Sequence, residues 1–282
     1  MKLISIQPER WLMDGGAVFG VVPKAIWQKL YAEDRDNLLP MVSRCLLIDW
    51  GERKILIDTG MGRKQSQKYY QYKYLDQERN IKSELERNGY DAGQITDVIL
   101  THLHDDHAGG VTYYDNNQKL RLQFPNATHY VSREQYAWAI DPNPREKVAY
   151  FDENIVPVMQ ANKLHLLERN EAFPVPFIDL LYVDGHTRGQ IIPLIHHPNA
   201  SLVFVADFIP TTAHIPVPYV AAVDIEPLKT LKEKQAFLNE AFQKKYMFFF
   251  EHDNYTEICS LKQTAKGIRA DQSLRLNQSF AD

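Results

Sequence analysis

Residues 98–107 read Val-Ile-Leu-Thr-His-Leu-His-Asp-Asp-His, so an apolar run leads directly into a cluster of histidine and aspartate side chains. Residues two apart in an extended chain point to the same side, and His102 and His104 can therefore bind one metal ion together. The turn that follows can direct Asp106 and His107 towards a second ion. A solvated polar loop is the alternative interpretation, but such a loop needs no buried strand in front of it. The stretch predicts a binuclear metal site at the end of a buried strand.

Four further apolar or β-prone runs each end in residues that can bind a metal or orient a ligand. They are residues 54–57 before Asp58, residues 180–183 before Asp184 and His186, residues 201–205 before Asp207, and residues 246–250 before Glu251 and His252. We interpret each run as a buried strand. Strand ends that converge on one rim are where layered α/β proteins collect functional residues. The pattern therefore predicts that the remaining ligands come from these strand ends.

These residues occur in the order that is typical of one known family. An HxHxDH segment, a histidine in a Gly-His-Thr sequence, an aspartate and a final histidine resemble the metallo-β-lactamase superfamily, and the resemblance spans most of the chain. Asp58 within residues 55–60 matches that family's early LIDTG-like element. The resemblance implies an α+β protein with layered α/β structure, a four-layer αββα sandwich, in one domain over residues 1–282.

The resemblance also implies how two metal ions share the ligands. The first ion would be held by His102, His104 and His186, the second by Asp106, His107 and His252, and both by the bridging Asp207. Zinc suits such histidine and carboxylate ligands, and manganese, iron or cobalt would also fit. Two divalent ions depress the pKa of water by several units and so make hydroxide available at neutral pH. Asp106 is expected to act in catalysis as well, by moving a proton to the leaving oxygen.

Two segments resemble one group within this superfamily, the YtnP-like quorum-quenching lactonases. They are residues 12–24 and residues 207–214. The resemblance implies a hydrolase that opens lactone rings, first of all those of N-acyl homoserine lactones, with a small-molecule lactone or ester as its partner. The alternatives are a phosphoester or organophosphate hydrolase on the same metal site, a glyoxalase-like enzyme, and a non-catalytic metal-stabilised binding protein.

The expected preference for lactones depends on the apolar segment around Phe19. Residues 19–22 and Trp27 suit an acyl chain better than a phosphate dianion, unless the segment is ordinary core. Phosphate recognition usually recruits arginine forks, and Arg188 is the arginine that stands out near the ligand positions. The sequence thus favours a lactone over a phosphoester.

Further residues are candidates for supporting or substrate-contacting roles. Asp58 is expected to orient a ligand histidine, although an aspartate at this position also commonly forms a turn. His214 and Tyr219 lie in the proline-rich residues 210–223 and could meet the substrate, or simply pack within that loop. Phe19 is a candidate substrate contact on the apolar segment.

Three positions depart from family patterns. Some N-acyl homoserine lactone hydrolases of the superfamily carry a catalytic tyrosine three residues after the bridging aspartate, and Pro210 stands there in this chain. Gln190 replaces the last histidine of the GHTxGH pattern, which is usually not a ligand. Asp105 adds a negative charge beside the metals, which could tighten cation binding or point to solvent.

Composition excludes several other classes of protein. The net charge of −4 over 282 residues argues against a nucleic-acid partner recognised by a broad basic face. Cys45 and Cys259 have no spacing that suggests a disulfide framework or a cysteine-ligated metal. The N-terminus lacks the apolar core of a signal peptide, and no stretch is long and apolar enough to span a bilayer. We therefore expect a cytoplasmic protein with no membrane partner.

Local patterns predict several helices. One is expected around Asn80–Asn88, ended by Gly89 as its C-cap, and another over residues 133–140 with Ser132 as its N-cap. A third should run from Pro227 to about Lys245. Its expected apolar face consists of Leu228, Leu231, Leu238 and Phe242. The segment after Thr264 carries no assignment.

Arg63–Asn80 is polar and rich in tyrosine and lysine. It is expected to form either an arm over the mouth of the site or part of a subunit interface, where tyrosine is favoured. A homodimer is possible in the second case. The alternative is a solvated loop or an amphipathic helix.

Overall fold

A computed structural model gives the structure of the protein and describes residues 1–76 and 79–280. The strands, in chain order, are β1 (Lys2–Asp14), β2 (Leu38–Trp50), β3 (Arg53–Ile57), β4 (Asp97–Ile99), β5 (Thr112–Tyr114), β6 (Leu120–Leu122), β7 (Thr128–Ser132), β8 (Leu164–Leu167), β9 (Ile178–Val183), β10 (Gln190–His196), β11 (Ser201–Phe204), β12 (Met247–Phe249), β13 (Ile258–Thr264) and β14 (Gly267–Leu274). The helices are α1 (Gly15–Phe19), α2 (Lys24–Trp27), α3 (Gln67–Lys73), α4 (Ile81–Arg87), α5 (Asp105–Ala108), α6 (Arg133–Ile140), α7 (Asp152–Gln160), α8 (Pro227–Gln243) and α9 (Leu276–Ser279). The predicted mixed α/β class is confirmed.

The described chain forms two compact units. The first consists of residues 1–10 and 43–171, and the second of residues 11–42 and 172–280. The expectation of one domain over residues 1–282 stays a prediction.

The sheet of the first unit brings the ends of two parallel strands together. Residues 2–10 of β1 and 43–50 of β2 join β3, β4, β7 and β8 in that order. The pairs β3–β4, β4–β7 and β7–β8 are parallel, and the apolar side chains of β3 and β4 are buried, as expected for strands covered on both faces. At the carboxyl ends, the backbone N–H of Asp58 donates to the carbonyl of Ile99 at 2.9 Å. Asp58 is thereby placed beside the chain that leads into His102.

The sheet of the second unit contains one parallel pair of neighbouring strands. Its order is β14-β13-β12-β11-β10-β9, and only β11 and β12 are parallel among these neighbours. Helix α8 connects them, because a parallel pair needs a crossover of this kind. Phe204, Phe248 and Phe249 are fully buried in these two strands. Asp207 and His252 follow the carboxyl ends of the pair.

The buried face of helix α8 differs from the apolar face that was predicted. It starts at Pro227 as expected, but Leu228 is 73% exposed and Phe242 is also exposed. The buried positions are Thr230, Lys234, Leu238 and Ala241, which follow the helical repeat. The Lys234 ammonium donates to backbone carbonyls and so occupies the inward face. A leucine stripe was therefore the wrong guide to the orientation of this helix.

Predictions from capping residues are confirmed for α6 and wrong by one residue for α4. Asn88 is the C-cap of α4, and Gly89, which was predicted there, follows it with a φ of +83°. The Asn80 side chain caps the start of α4 by accepting from the backbone N–H of Ser83, which was not predicted. Ser132 caps α6 by accepting from the N–H of Gln135. The Ser132 cap depends on sequence neighbours alone, which is why the sequence reveals it.

Two other segments complete the description. The unassigned segment after Thr264 contains β14, which pairs antiparallel with β13. Within Arg63–Asn80, α3 begins after the Ser66 cap, and residues 77 and 78 lie outside the described residues. The role of this segment as an arm or interface stays a prediction. Among the described helices, none has the length and apolarity needed to cross a membrane.

Candidate metal centre

His102 and His104 direct one ring nitrogen each at the other. Both follow β4 and are buried, and His102 Nε2 lies 3.0 Å from His104 Nδ1. His102 Nδ1 lies 3.1 Å from the hydroxyl oxygen of Thr101, which itself donates to Asp58 at 2.6 Å. Since that hydroxyl gives its proton to Asp58, His102 Nδ1 must donate to it and Nε2 carries the lone pair.

Asp106 and His107 lie on the short helix α5 that starts directly after His104. Both side chains are buried, and His107 Nε2 lies 3.7 Å from Asp106 Oδ1. His107 Nδ1 lies 3.0 Å from Asp58 Oδ2. An ionised carboxylate only accepts, so this contact places the proton on Nδ1 and leaves the Nε2 lone pair free to bind a metal ion.

Asp58 links His107 to the Thr101 hydroxyl that contacts His102. Its carboxylate is fully buried and accepts from the Thr101 backbone N–H at 2.7 Å as well as from the Thr101 hydroxyl and His107. Its φ is +57°, a left-handed conformation that aspartate tolerates better than most residues. Asp58 thus contacts His107 directly and His102 through the Thr101 hydroxyl, and its role in orienting a ligand histidine stays a prediction.

In the second unit, Asp207 lies between two histidines. It follows β11 in a short turn, with Oδ1 2.8 Å from His252 Nε2 and Oδ2 3.1 Å from His186 Nε2. Each histidine is held at its other nitrogen, His186 Nδ1 by Asp224 at 2.9 Å and His252 Nδ1 by the Val42 carbonyl at 2.8 Å. Both Nε2 atoms therefore aim their lone pairs at carboxylate oxygens, an arrangement that a proton or a metal cation between them satisfies.

The glycine before His186 allows close packing beneath this ligand. A Cβ atom on Gly185 would lie 2.2 Å from Thr230 Oγ1 and 2.5 Å from Thr230 N, both far inside normal contact. The Thr230 hydroxyl in turn donates to Asp224 at 2.7 Å. Gly185 thus lets helix α8 approach closely enough to hold the carboxylate that orients His186.

Each unit therefore contains buried histidine and aspartate side chains with donor atoms for a metal. The residues fit such a group, because imidazole nitrogens and carboxylate oxygens are the usual ligands of zinc and related ions. Hydrogen-bond partners around these histidines also fix which ring nitrogen is free to bind a metal, as metal sites usually require.

Two buried acidic residues that contact these histidines were not predicted from the sequence. Glu146 lies 3.2 Å from His104 Nε2, and Asp224 holds His186 as described. Both come from irregular segments without a preceding apolar strand, so no periodic signal marks them. Glu9 on β1 is a third buried acidic residue that was not predicted, and burial raises its pKa to about 8.

The extra charge at Asp105 has a partner in the same unit. Its side chain is buried rather than directed to solvent, and Lys73 Nζ lies 3.5 Å from Asp105 Oδ2. Lys73 belongs to α3, so the tyrosine-rich segment contacts the histidine motif through this ion pair. Lys64 of the same segment donates to the carbonyl of Thr112 at 2.8 Å.

The candidate substrate contacts lie in different environments. Phe19 is fully buried and stacked between Trp27 and His214, with ring centroids 4.9 and 4.8 Å away. His214 Nε2 lies 2.9 Å from the Val18 carbonyl, and burial lowers the pKa of His214 to about 4. Tyr219 is half-buried. Phe19 and His214 thus belong to the interior of their unit.

Other positions singled out in the sequence also differ in exposure. Val21 is 96% exposed although Trp27 in the same segment is buried. Arg188 is exposed, whereas Gln190 is buried at the start of β10. The apolar segment is therefore divided between core and surface.

Comparison with known proteins agrees with the order of these residues. A sequence model of the metallo-beta-lactamase superfamily matches residues 38–252. An N-acyl homoserine lactonase from Bacillus cereus is 25% identical over 233 residues, which cover 77% of this chain and 83% of that protein.

Solved structures extend the likeness to nearly the whole chain. A probable metal-dependent hydrolase from Staphylococcus aureus has a TM-score of 0.87 and 31% sequence identity, covering 97% of this chain and 96% of its own. AidC, a dizinc quorum-quenching lactonase, has a TM-score of 0.75 and 24% identity, covering 97% and 95%, and shows the same fold. The family match, the solved relatives and the order of the ligand-type residues agree, and the chain belongs to the metallo-β-lactamase superfamily.

Proposed function

We propose that the protein is a binuclear metallohydrolase that opens lactone rings, with N-acyl homoserine lactones as its first candidate substrates. One observation carries the proposal: the two oxygens of Asp207 face the Nε2 atoms of two different histidines, as a carboxylate that bridges two ions must. The lactonase relative from Bacillus cereus supports the choice of substrate class.

In this proposal the ligand set is the one that the family pattern implies. The first ion takes His102, His104 and His186, the second takes Asp106, His107 and His252, and Asp207 is common to both. We propose zinc, with manganese, iron or cobalt as substitutes of similar ligand preference. When bound, the ions supply activated water and polarise the substrate carbonyl.

The protein's own residues then have two tasks during ring opening. Water adds to the lactone carbonyl carbon, the ring C–O bond breaks, and the proton released by water ends on the ring oxygen to give a hydroxy acid. Asp106 is buried beside His107 and is the carboxylate that we assign to carry this proton. Asp58 and Asp224 keep His107 and His186 in the orientation in which Nε2 can bind.

Charges around the histidine motif favour a neutral substrate over a phosphate dianion. Two lysines of the tyrosine-rich segment already have partners, since Lys73 pairs with Asp105 and Lys64 donates to Thr112. Phosphate recognition usually uses arginine forks or groups of backbone N–H donors. A lactone needs no such countercharge, which supports ring opening over phosphoester cleavage.

The test compares two substrate classes on protein with a measured metal content. Elemental analysis at saturating metal should give two ions per chain, and Asp207→Ala should lose both metal and activity. The value of kcat/KM should be higher for an N-acyl homoserine lactone than for an aryl phosphodiester. A preference for the phosphodiester that collapses in Arg188→Ala would overturn the lactonase assignment, and a fully loaded protein without hydrolytic activity would favour a binding protein.

A further inference from the structure

Glu146 is a buried carboxylate with hydrogen-bonding neighbours at both of its oxygens. It lies between α6 and α7 and is 5% exposed. Oε2 accepts from the indole N–H of Trp138 at 2.7 Å and from the side-chain amide of Asn143 at 2.6 Å. Oε1 accepts from the Tyr150 hydroxyl and lies 3.2 Å from His104 Nε2. So many donors around one carboxylate stabilise its ionised form.

These neighbours determine which nitrogen of His104 carries the proton. An ionised carboxylate only accepts, so His104 Nε2 must donate to Glu146. In a neutral imidazole the lone pair is then on Nδ1. Nδ1 is the atom that faces His102 Nε2 at 3.0 Å. Since His102 also presents a lone pair there, the two nitrogens are arranged for a shared cation rather than for a hydrogen bond to each other.

The segment that carries Glu146 is itself rigid. Asn143 Oδ1 accepts from the backbone N–H groups of Arg145 and Glu146, at 2.8 and 3.2 Å, which closes a turn. Prolines at 142 and 144 restrict the backbone on either side of Asn143. The ring of Tyr150 also packs against His104, with centroids 4.9 Å apart. The carboxylate is thus held in place before any ligand binds.

We propose that Glu146 is a positioning residue for His104, which fixes its tautomer and ring orientation for metal binding, and that Trp138, Asn143 and Tyr150 form its support. The inference rests on the proposed role of His104 as a metal ligand. Outer-sphere partners of this kind typically change metal affinity by about 10- to 100-fold when they are removed.

The decisive variant is Glu146→Gln, which keeps the shape of the side chain. Its amide can retain one acceptor for Trp138 or Asn143, but its NH2 group cannot accept from His104. Zinc affinity, measured by competition with a chromophoric chelator, should fall by about 10- to 100-fold. The visible absorption of the cobalt-loaded protein should change as well, because it reports the ligand geometry. Tyr150→Phe, which removes one supporting donor and keeps the ring, should reduce zinc affinity by less than tenfold.

Urea unfolding of the metal-free proteins separates positioning from structure. Glu134→Gln is the matched control, because Glu134 is on α6 and pairs with Arg169 at the surface. A Glu146→Gln protein with lower apo stability but wild-type zinc affinity and cobalt spectrum would overturn the inference. If that variant fails to fold, Glu146→Asp and Tyr150→Phe must give graded losses of zinc affinity, and unchanged affinities in both would refute it. A wild-type protein that binds no zinc would overturn the proposed function together with this inference.

Discussion

Replacing Asp58 by asparagine tests how strongly one outer carboxylate supports the centre. The side chain has almost the same shape, and asparagine also tolerates the left-handed φ of +57°. The wild-type carboxylate accepts three hydrogen bonds, two from Thr101 at 2.7 and 2.6 Å and one from His107 at 3.0 Å. An asparagine amide has only one acceptor oxygen, and its NH2 group must then face at least one of these donors.

The structure allows the cost to be divided between folding and metal binding. A hydrogen bond to a charged group contributes about 1.5–3 kcal/mol, so the loss of one or two should lower the free energy of unfolding of the metal-free protein by about 3 kcal/mol. His107 also loses the acceptor that fixes its tautomer. Metal affinity should therefore fall by about 10- to 100-fold, which corresponds to about 1.4–2.7 kcal/mol.

The assay uses urea unfolding of metal-free protein and a chelator competition with zinc. Asp58→Ala is the comparison, because alanine removes the same acceptors and also resists the left-handed backbone, at about 1–2 kcal/mol more. We expect both variants to bind zinc more weakly and Asp58→Ala to be the less stable of the two. Wild-type zinc affinity in Asp58→Asn would refute the argument that the Asp58–His107 contact prepares the ligand.

The sequence predicts well those features that depend on neighbours along the chain. The Ser132 cap is a local interaction, and the buried parallel strands appear as continuous apolar runs. Asp58 directly follows β3, and His107 lies on α5 after the adjacent parallel strand β4. Because adjacent parallel strands end at one edge of the sheet, Asp58 lies next to His107. These parts of the fold and of the centre could be predicted.

The supporting residues could not be predicted, because their roles depend on contacts between distant segments. Glu146 is 42 residues from His104, and Asp224 is 38 residues from His186. Both lie in irregular segments where neither period nor cap chemistry applies. The predicted buried face of α8 was wrong for a related reason, since Lys234 is buried beside Leu238 while Leu228 and Phe242 are exposed.

Two further predictions concern buried basic side chains. His129 on β7 is fully buried, and burial lowers its pKa from 6.5 to about 4. Between these values the unfolded chain binds more protons than the native protein, so stability falls as the pH falls, by about 3 kcal/mol from this group. The free energy of unfolding of metal-free protein can be measured by urea titration at neutral pH and at pH 4. Between these two pH values it should fall by about 3 kcal/mol less in His129→Leu than in the wild type, and equal falls would contradict this. Lys234 on α8 is buried, and its ammonium group donates to three backbone carbonyls, those of His214, Pro216 and Tyr219, at 2.6, 3.1 and 2.6 Å. Lys234→Met leaves these carbonyls without their donor, and because each unsatisfied buried group costs about 1–3 kcal/mol, the free energy of unfolding should fall by at least about 3 kcal/mol. The exposed Lys232→Met on the same helix should change it little. A Lys234→Met protein as stable as this control would show that other donors hold the loop, and that the lysine does not determine which face of α8 is buried.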